Sequence, residues 1–319
     1  MEMSDQDFQK ALEQNDIDLL AKIPKSDLHN HAALGSRIEF LENWANQNII
    51  RPPLKMKKFA DFEEYLEKAF NKFVQAPGFF EYAKRATMEQ ARNDGVKVLQ
   101  ISLDTRFFNG PDRAWQEKTE IVQNAHRLMA PDVFFVPQLG LQRNQDLKKL
   151  LYDAEKLIDT GYFRSIDLYG DELAGDIKNF ISLYKKAKNQ GLILTAHAGE
   201  YGTATSVKKA VEMLELDQVQ HGIAASESEE VMRWLADNKI ILNVCPTSNV
   251  MLCRVASMAK HPVRKLHDHG IKVTINTDDL MVFNQSVSQE YINLYKAGVL
   301  SIEALDDIRQ NGLRAFEGG

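Results

Sequence analysis

"LILTAHAGE", residues 192–200, is an apolar run that ends in His197 and Glu200. A nearly continuous apolar stretch of this length suits a parallel strand buried on both faces. The preceding "DIKNFISLYKKAKNQG" (176–191) has helical spacing and finishes on Gly191, a residue that suits a helix C-cap. The unit is therefore a helix, a glycine stop and a buried strand with ionisable groups at its C-terminal end. It recurs along the chain. "SDLHNH" (26–31), "VKVLQISL" (96–103), "VFFVPQLGL" (133–141), "YFRSIDLYG" (162–170), "QVQHGI" (218–223), "ILNVCPTS" (241–248) and "KVTINTDD" (272–279) read as seven further strands. Helical patterns alternate with them: "DFEEYLEKAFNKFV" (61–74), "EYAKRATMEQARND" (81–94), "DLKKLLYDAEKLID" (146–159) and "SEEVMRWLADNKI" (228–240), with Gly270 as another C-cap candidate. Eight such units in 319 residues predict an α/β chain closed as a (β/α)8 TIM barrel, with extra N-terminal and lid helices. A doubly wound open sheet is the rival, but no G-x-G-x-x-G follows the first strand. With no linker or low-complexity tract, residues 1–319 read as one domain.

Composition narrows the function. At 44% hydrophobic and 26% charged residues the chain reads as soluble and globular, and a net charge of −6 argues against a nucleic-acid partner. Cys245 and Cys253 are too few for a disulfide framework and form no C-x-x-C pair. The N-terminal stretch (1–25) is acidic and amphipathic rather than signal-like, and no apolar run is long enough for a bilayer. A cytoplasmic enzyme with a small-molecule ligand is expected, with no membrane partner and no oligomeric state set by the sequence.

In a (β/α)8 barrel the chemistry sits at the C-terminal ends of the strands. His29 and His31, one residue apart, point to the same side of the first strand. His197 and Glu200 close the fifth strand, His221 the sixth, and Asp278 and Asp279 the eighth. Four strand ends bearing ligand-type residues would meet at one barrel mouth. Core or surface histidines have no reason to be distributed in this way. His126, His261, His267 and His269 fall in helices or connections and read as solvated or capping residues. Taken singly, His197 also reads as a buried, hydrogen-bonded histidine, Asp278 as an N-cap and Glu200 as an acid favoured at a helix N-terminus. Three neutral imidazoles and one carboxylate suit Zn²⁺, and four protein ligands plus a water would make the site five-coordinate.

"SDLHNHAA", "IDLYGDE", "TAHAGE", "VQHGI", "CPTSNV" and "VTINTDD", in that order from residue 26 to 279, resemble the motifs of the adenosine deaminase family of metal-dependent amidohydrolases; "NGLRAF" (311–316) adds weaker support. The resemblance implies one zinc per chain held by His29, His31, His197 and Asp278, with His31 and Asp278 also close to the reacting centre. It further implies Glu200 as proton donor to the purine N1 and His221 as partner of the metal's water. Asp279 would face N7, and the Gly170 N–H would donate to N3. The expected reaction is hydrolytic deamination of a 6-aminopurine nucleoside, adenosine or deoxyadenosine. AMP, free adenine or a modified nucleoside is the alternative, and an inactive barrel that only binds is a further one. The residue types suit that chemistry in their own right: zinc lowers the pKa of its water to roughly 7, and a buried carboxyl can stay protonated to break ring aromaticity. Two-metal barrel hydrolases commonly carry a bridging lysine after the fourth strand, absent from "YFRSIDLYGDE", and the small nucleobase deaminases need a P-C-x-x-C that this chain lacks.

One departure concerns the sugar. Many family members have H-x-H-L-D-G, whose acid holds the ribose 5′-hydroxyl; here "HNHAALGSR" (29–37) puts Ala33 at that position. Arg37 is the nearest cation in sequence that could meet a phosphate, although it reads first as a solvated helix residue. Phe62, Tyr65, Leu66 and Phe70 share a helical face that reads as a core stripe or as a lid over the purine.

Overall fold

The structure, a computed structural model, describes residues 5–108 and 112–317. Each of the eight runs forms a strand: β1 (Lys25–His31), β2 (Val96–Asp104), β3 (Phe134–Gln142), β4 (Ser165–Tyr169), β5 (Ile193–Ala198), β6 (Gln218–His221), β7 (Ile241–Val244) and β8 (Lys272–Ile275). They pair in parallel in the order β1 to β8. The sheet curls until its last segment meets its first, where the Asp278 N–H donates to the His29 carbonyl at 2.8 Å and Asn30 bridges to Asp278. The Leu28 N–H adds a bond to Asn276 Oδ1 at 2.7 Å. The seam of this (β/α)8 barrel therefore runs through the candidate site.

The period-2 pleat divides each strand between two environments. On β2, Leu99, Ile101 and Leu103 are buried against the surrounding helices, while Gln100, Ser102 and Asp104 face inward. The inward layer is polar and hydrogen-bonded rather than aliphatic. Gln138 Nε2 donates to Ser165 Oγ at 3.0 Å and to Thr195 Oγ1 at 2.9 Å, Asn243 Nδ2 to Gln218 Oε1 at 2.8 Å, and Thr274 Oγ1 to Asn243 Oδ1 at 2.8 Å. Paired in this way, Gln138 and Asn243 are tolerated and fix the barrel floor on which the site rests, while Gln100 Oε1, Ser102 Oγ and Gln220 Oε1 have no hydrogen-bond partner among the described residues.

Gly191 and Gly270 take φ of 77° and 79° just after their helices, as a C-cap glycine should. Several expected strand tails are shorter in the structure. Pro246 starts a short helix, Pro246–Met251, so "CPTS" leaves β7, and "NTDD" lies beyond β8. Gly312, in the helix Ile302–Leu313, lies so close to β1 that an added Cβ would sit 1.9 Å from Ser26 Oγ, which explains the glycine of "NGLRAF". Helices Asp5–Gln14 and Ile17–Leu20 precede β1, and Lys25 ties this entry down by donating Nζ to the carbonyls of Leu20, Ile23 and Asp94 at 2.6–2.7 Å. The helix Phe59–Val74 covers the barrel mouth. Its stripe is split: Phe62, Leu66 and Phe70 line the cavity beneath, while Tyr65 turns away and donates to the Ile50 carbonyl at 2.9 Å. Among the described residues no helix is long and apolar enough to cross a membrane.

Lys84 is 1% exposed, its Nζ stacked 4.6 Å from the Phe80 ring centre and 4.9 Å from that of Phe107. Burial pushes its ammonium down to about 7, with Asp104 opposing. Between pH 7 and the unfolded value near 10.5 the unfolded chain holds a proton that the fold has released, so stability rises with pH across that window. Chemical denaturation of the wild type and of Lys84→Met at pH 7 and pH 9.5 should isolate this lysine's share as a difference of about 2–4 kcal/mol in their change with pH. Lys84→Met should remove that share, leave the contribution of other buried groups such as Lys25, which burial lowers to about 8, and be the more stable protein at pH 7.

Candidate active site

β1 delivers His29 and His31, β5 delivers His197 and β6 ends on His221. Asp278, Asp279 and Glu200 stand on the loops just past β8 and β5. His221 and Asp278 have φ of 63° and 58°, conformations rare outside glycine and typical of side chains held in place for function. The seven side chains converge. His29 Nε2 lies 3.0 Å from His197 Nε2, Asp278 Oδ1 is 3.6 Å from His29 Nε2 and 3.5 Å from His31 Nε2, and His221 Nε2 is 3.6 Å from Glu200 Oε1. All of them border a cavity of about 630 Å³ except His29, which sits behind its wall.

The far nitrogens of two imidazoles decide what the near ones offer. His29 Nδ1 faces the Asn243 carbonyl at 3.2 Å and His197 Nδ1 faces Asp167 Oδ1 at 3.3 Å, so each ring donates its proton outward. Two Nε2 lone pairs are then left 3.0 Å apart, a contact that a shared cation relieves. His29, His31 and His197 hold their donor atoms within 4.8 Å of one another. Burial pushes His29 down to about 4 and lowers His31 and His197 also, keeping all three in the neutral form that binds metal. The Asp278 carboxylate accepts from Ser248 Oγ at 2.7 Å. This nitrogen and carboxylate set fits Zn²⁺.

The acids beside it are of a different kind. Burial, then the Asp278 and Glu172 charges, raise Glu200 well above the usual carboxylate range, which favours its protonated form. Its Oε1 has no hydrogen-bond partner among the described residues and borders the cavity. Asp279 is raised for the same reasons, burial and the Asp278 charge. Gly170 has φ of 94°, a conformation that favours glycine, and a Cβ there would also press on Asn144 Oδ1 at 2.9 Å.

Several residues of the site escaped sequence reasoning. Glu172 lies within "IDLYGDE", yet its spacing carries no sign of what it does: its carboxylate accepts the backbone N–H groups of Gly199, Glu200, Tyr201 and Gly202 at 2.6–3.0 Å and shapes the loop that carries Glu200. Arg143 donates to the carbonyls of His197 and Glu172 at 2.8 and 3.1 Å. Arg106 is the arginine of the cavity wall, paired with Asp104 at 2.7 Å, whereas Arg37 donates to Asn284 at 3.2 Å and does not border the cavity. The expectation for His261 needs correction. It caps, since the Val263 N–H bonds its Nδ1 at 3.1 Å, but it is only 4% exposed and bonds Asn249 behind His221. His126, His267 and His269 are partly exposed and bond a carbonyl or a surface acid.

Residues 24–316 match the family model described as "Adenosine deaminase". A Treponema pallidum protein with a provisional adenosine/adenine deaminase name is 32% identical over 278 residues, covering 87% of this chain and 93% of the relative. Adenosine deaminase of Clostridium acetobutylicum is 30% identical, with 93% of each chain covered. Among solved structures, adenine deaminase of Arthrobacter aurescens shares the fold with a TM-score of 0.79 at 24% identity, over 93% of this chain and 94% of that one.

Proposed function

Since the chain belongs to the adenosine deaminase family of hydrolytic C–N deaminases, we propose that it replaces the 6-amino group of adenosine or 2′-deoxyadenosine with oxygen, releasing ammonia. Glu200, raised by burial and with its Oε1 unpartnered among the described residues beside His221 and Asp278, carries this reading. His29, His31, His197 and Asp278 would hold one zinc ion per chain, and that ion would supply a water of pKa roughly 7 as nucleophile. Glu200 gives its proton to N1 as C6 is attacked, so that the ring's electron pair has a place to go. His221, across from Glu200, orients the attacking oxygen and steadies the charge growing on it. Asp279 reads N7 and the Gly170 N–H reads N3, turning the 6-amino group towards the histidines. The reading takes residues 1–319 as one deaminase domain acting in the cytoplasm.

Ala33 borders the cavity and has no carboxylate for a ribose 5′-hydroxyl. A hydrogen bond to an ionised carboxylate contributes roughly 1.5–3 kcal/mol, so an enzyme with the acid should discriminate by about 10- to 100-fold. Ammonia release should therefore show 5′-deoxyadenosine within about tenfold of adenosine in kcat/KM, and Ala33→Asp should widen the gap. A steep preference of the unaltered protein for the 5′-hydroxyl would overturn this reading of the sugar end. Free adenine is the second reading, favoured by the same Ala33 and by the adenine named in two of the similar proteins. It wins if adenine exceeds adenosine in the same assay. A cavity of about 630 Å³ leaves room for more than a base and supports the nucleoside.

A further inference from the structure

Behind His221 runs a hydrogen-bonded chain that ends on a backbone amide. The Val263 N–H bonds His261 Nδ1 at 3.1 Å, and a backbone amide can only donate, so this nitrogen is a lone pair. Burial pushes His261 down to about 3, which keeps the ring neutral with its one proton on Nε2. Nε2 lies 3.2 Å from Asn249 Oδ1, the acceptor it needs. The amide orientation of Asn249 follows from this, with Nδ2 turned to His221 Nδ1 at 3.1 Å. Asn249 is fully buried, and its backbone carbonyl accepts the N–H groups of Arg254 and Val255 at 2.8 and 3.0 Å, which anchors the backbone from which the amide projects, while the orientation of the amide itself rests on His261.

From this polarity we infer that His261 and Asn249 are positioning residues that hold His221 with its proton on Nε2, as a hydrogen-bond donor into the site. That nitrogen faces Glu200 Oε1 at 3.6 Å and Asp278 Oδ2 at 3.8 Å. With Nδ1 occupied by an amide that only donates, His221 serves the reaction by donating to the oxygen that attacks C6. The inference rests on the deaminase reading for its catalytic consequence, and on hydrogen bonding alone for the tautomer.

The test is ¹⁵N-histidine spectroscopy of the metal-loaded protein, with the His221 signals assigned by their loss in His221→Asn. The expected spectrum has His221 Nε2 protonated and Nδ1 as acceptor. Asn249→Asp replaces the donor by an acceptor-only group of the same shape and should move the proton to Nδ1. His261→Phe should give mixed tautomers and lower kcat for adenosine by about 10- to 100-fold, as loss of an outer partner does, with KM and metal content little changed. His261→Gln, which restores a donor to Asn249, should recover most of the loss. A wild-type His221 protonated on Nδ1 overturns the inference, as does a His261→Phe protein whose tautomer and kcat are unaltered. Should no purine be deaminated by the wild type, the deaminase reading fails while the spectra still decide the tautomer.

Discussion

Glu200→Gln is expected to lower kcat by at least about 10²-fold while metal content stays at the wild-type level. The glutamine is close in size, and the loop that carries it is held by the Glu172 carboxylate through backbone N–H groups that the substitution leaves in place. What is lost is the transferable proton. Burial and the Asp278 charge raise Glu200 and favour its protonated form, and an amide cannot pass a proton to N1. KM should change far less than kcat, because a glutamine N–H can still face the ring nitrogen in the ground state. Elemental analysis paired with steady-state ammonia release separates the two effects. Near-normal turnover would remove Glu200 from the role of acid.

His197→Ala is expected to lose the zinc and, with it, activity. The wild type should carry one zinc per chain by elemental analysis. In the variant, affinity should fall by more than the roughly 10- to 100-fold that removal of an outer partner of a ligand costs, because the coordination shell itself is opened. Stability need not fall with it. The substitution removes the contact between the two Nε2 atoms 3.0 Å apart and leaves Asp167 still bonded to Thr195 Oγ1 at 3.1 Å. Thermal unfolding in the presence of a chelator should therefore place the variant close to the metal-free wild type. Two zinc ions per chain in the wild type would overturn the mononuclear assignment.

Both expectations use residues that could be picked out before any coordinates, and the reason is local. A strand writes its burial into the sequence as apolar runs, and a helix end writes its stop as a glycine, so eight strands and their order were legible from "LILTAHAGE" and its counterparts. Strand ends are also where a barrel gathers its polar groups, which is why His29, His31, His197, Glu200, His221, Asp278 and Asp279 could be named together. Less legible was the inward layer of Gln138, Ser165, Thr195 and Asn243. Gln138, Thr195 and Asn243 are single polar residues in apolar runs and Ser165 follows Arg164, and only the assembled, curved sheet brings each to a partner. The helix face of Phe62, Tyr65, Leu66 and Phe70 was ambiguous for a related reason: the 3.6-residue period shows that a face is apolar, not whether it meets a core or a cavity.

The sequence by itself determined the barrel, the strand order and the set of candidate site residues, because each is marked by a local signal: an apolar run, a glycine stop or a ligand-type residue at a strand end. Only the tertiary structure decided the electrostatic and hydrogen-bonding state of those residues. Glu172 reaches the Glu200 loop across 27–30 residues, and His261 acts on His221 through Asn249, 28 residues beyond it. The pKa of a carboxyl and the tautomer of an imidazole are set by burial and by donors within a few ångströms, and those distances exist only once the chain has closed on itself.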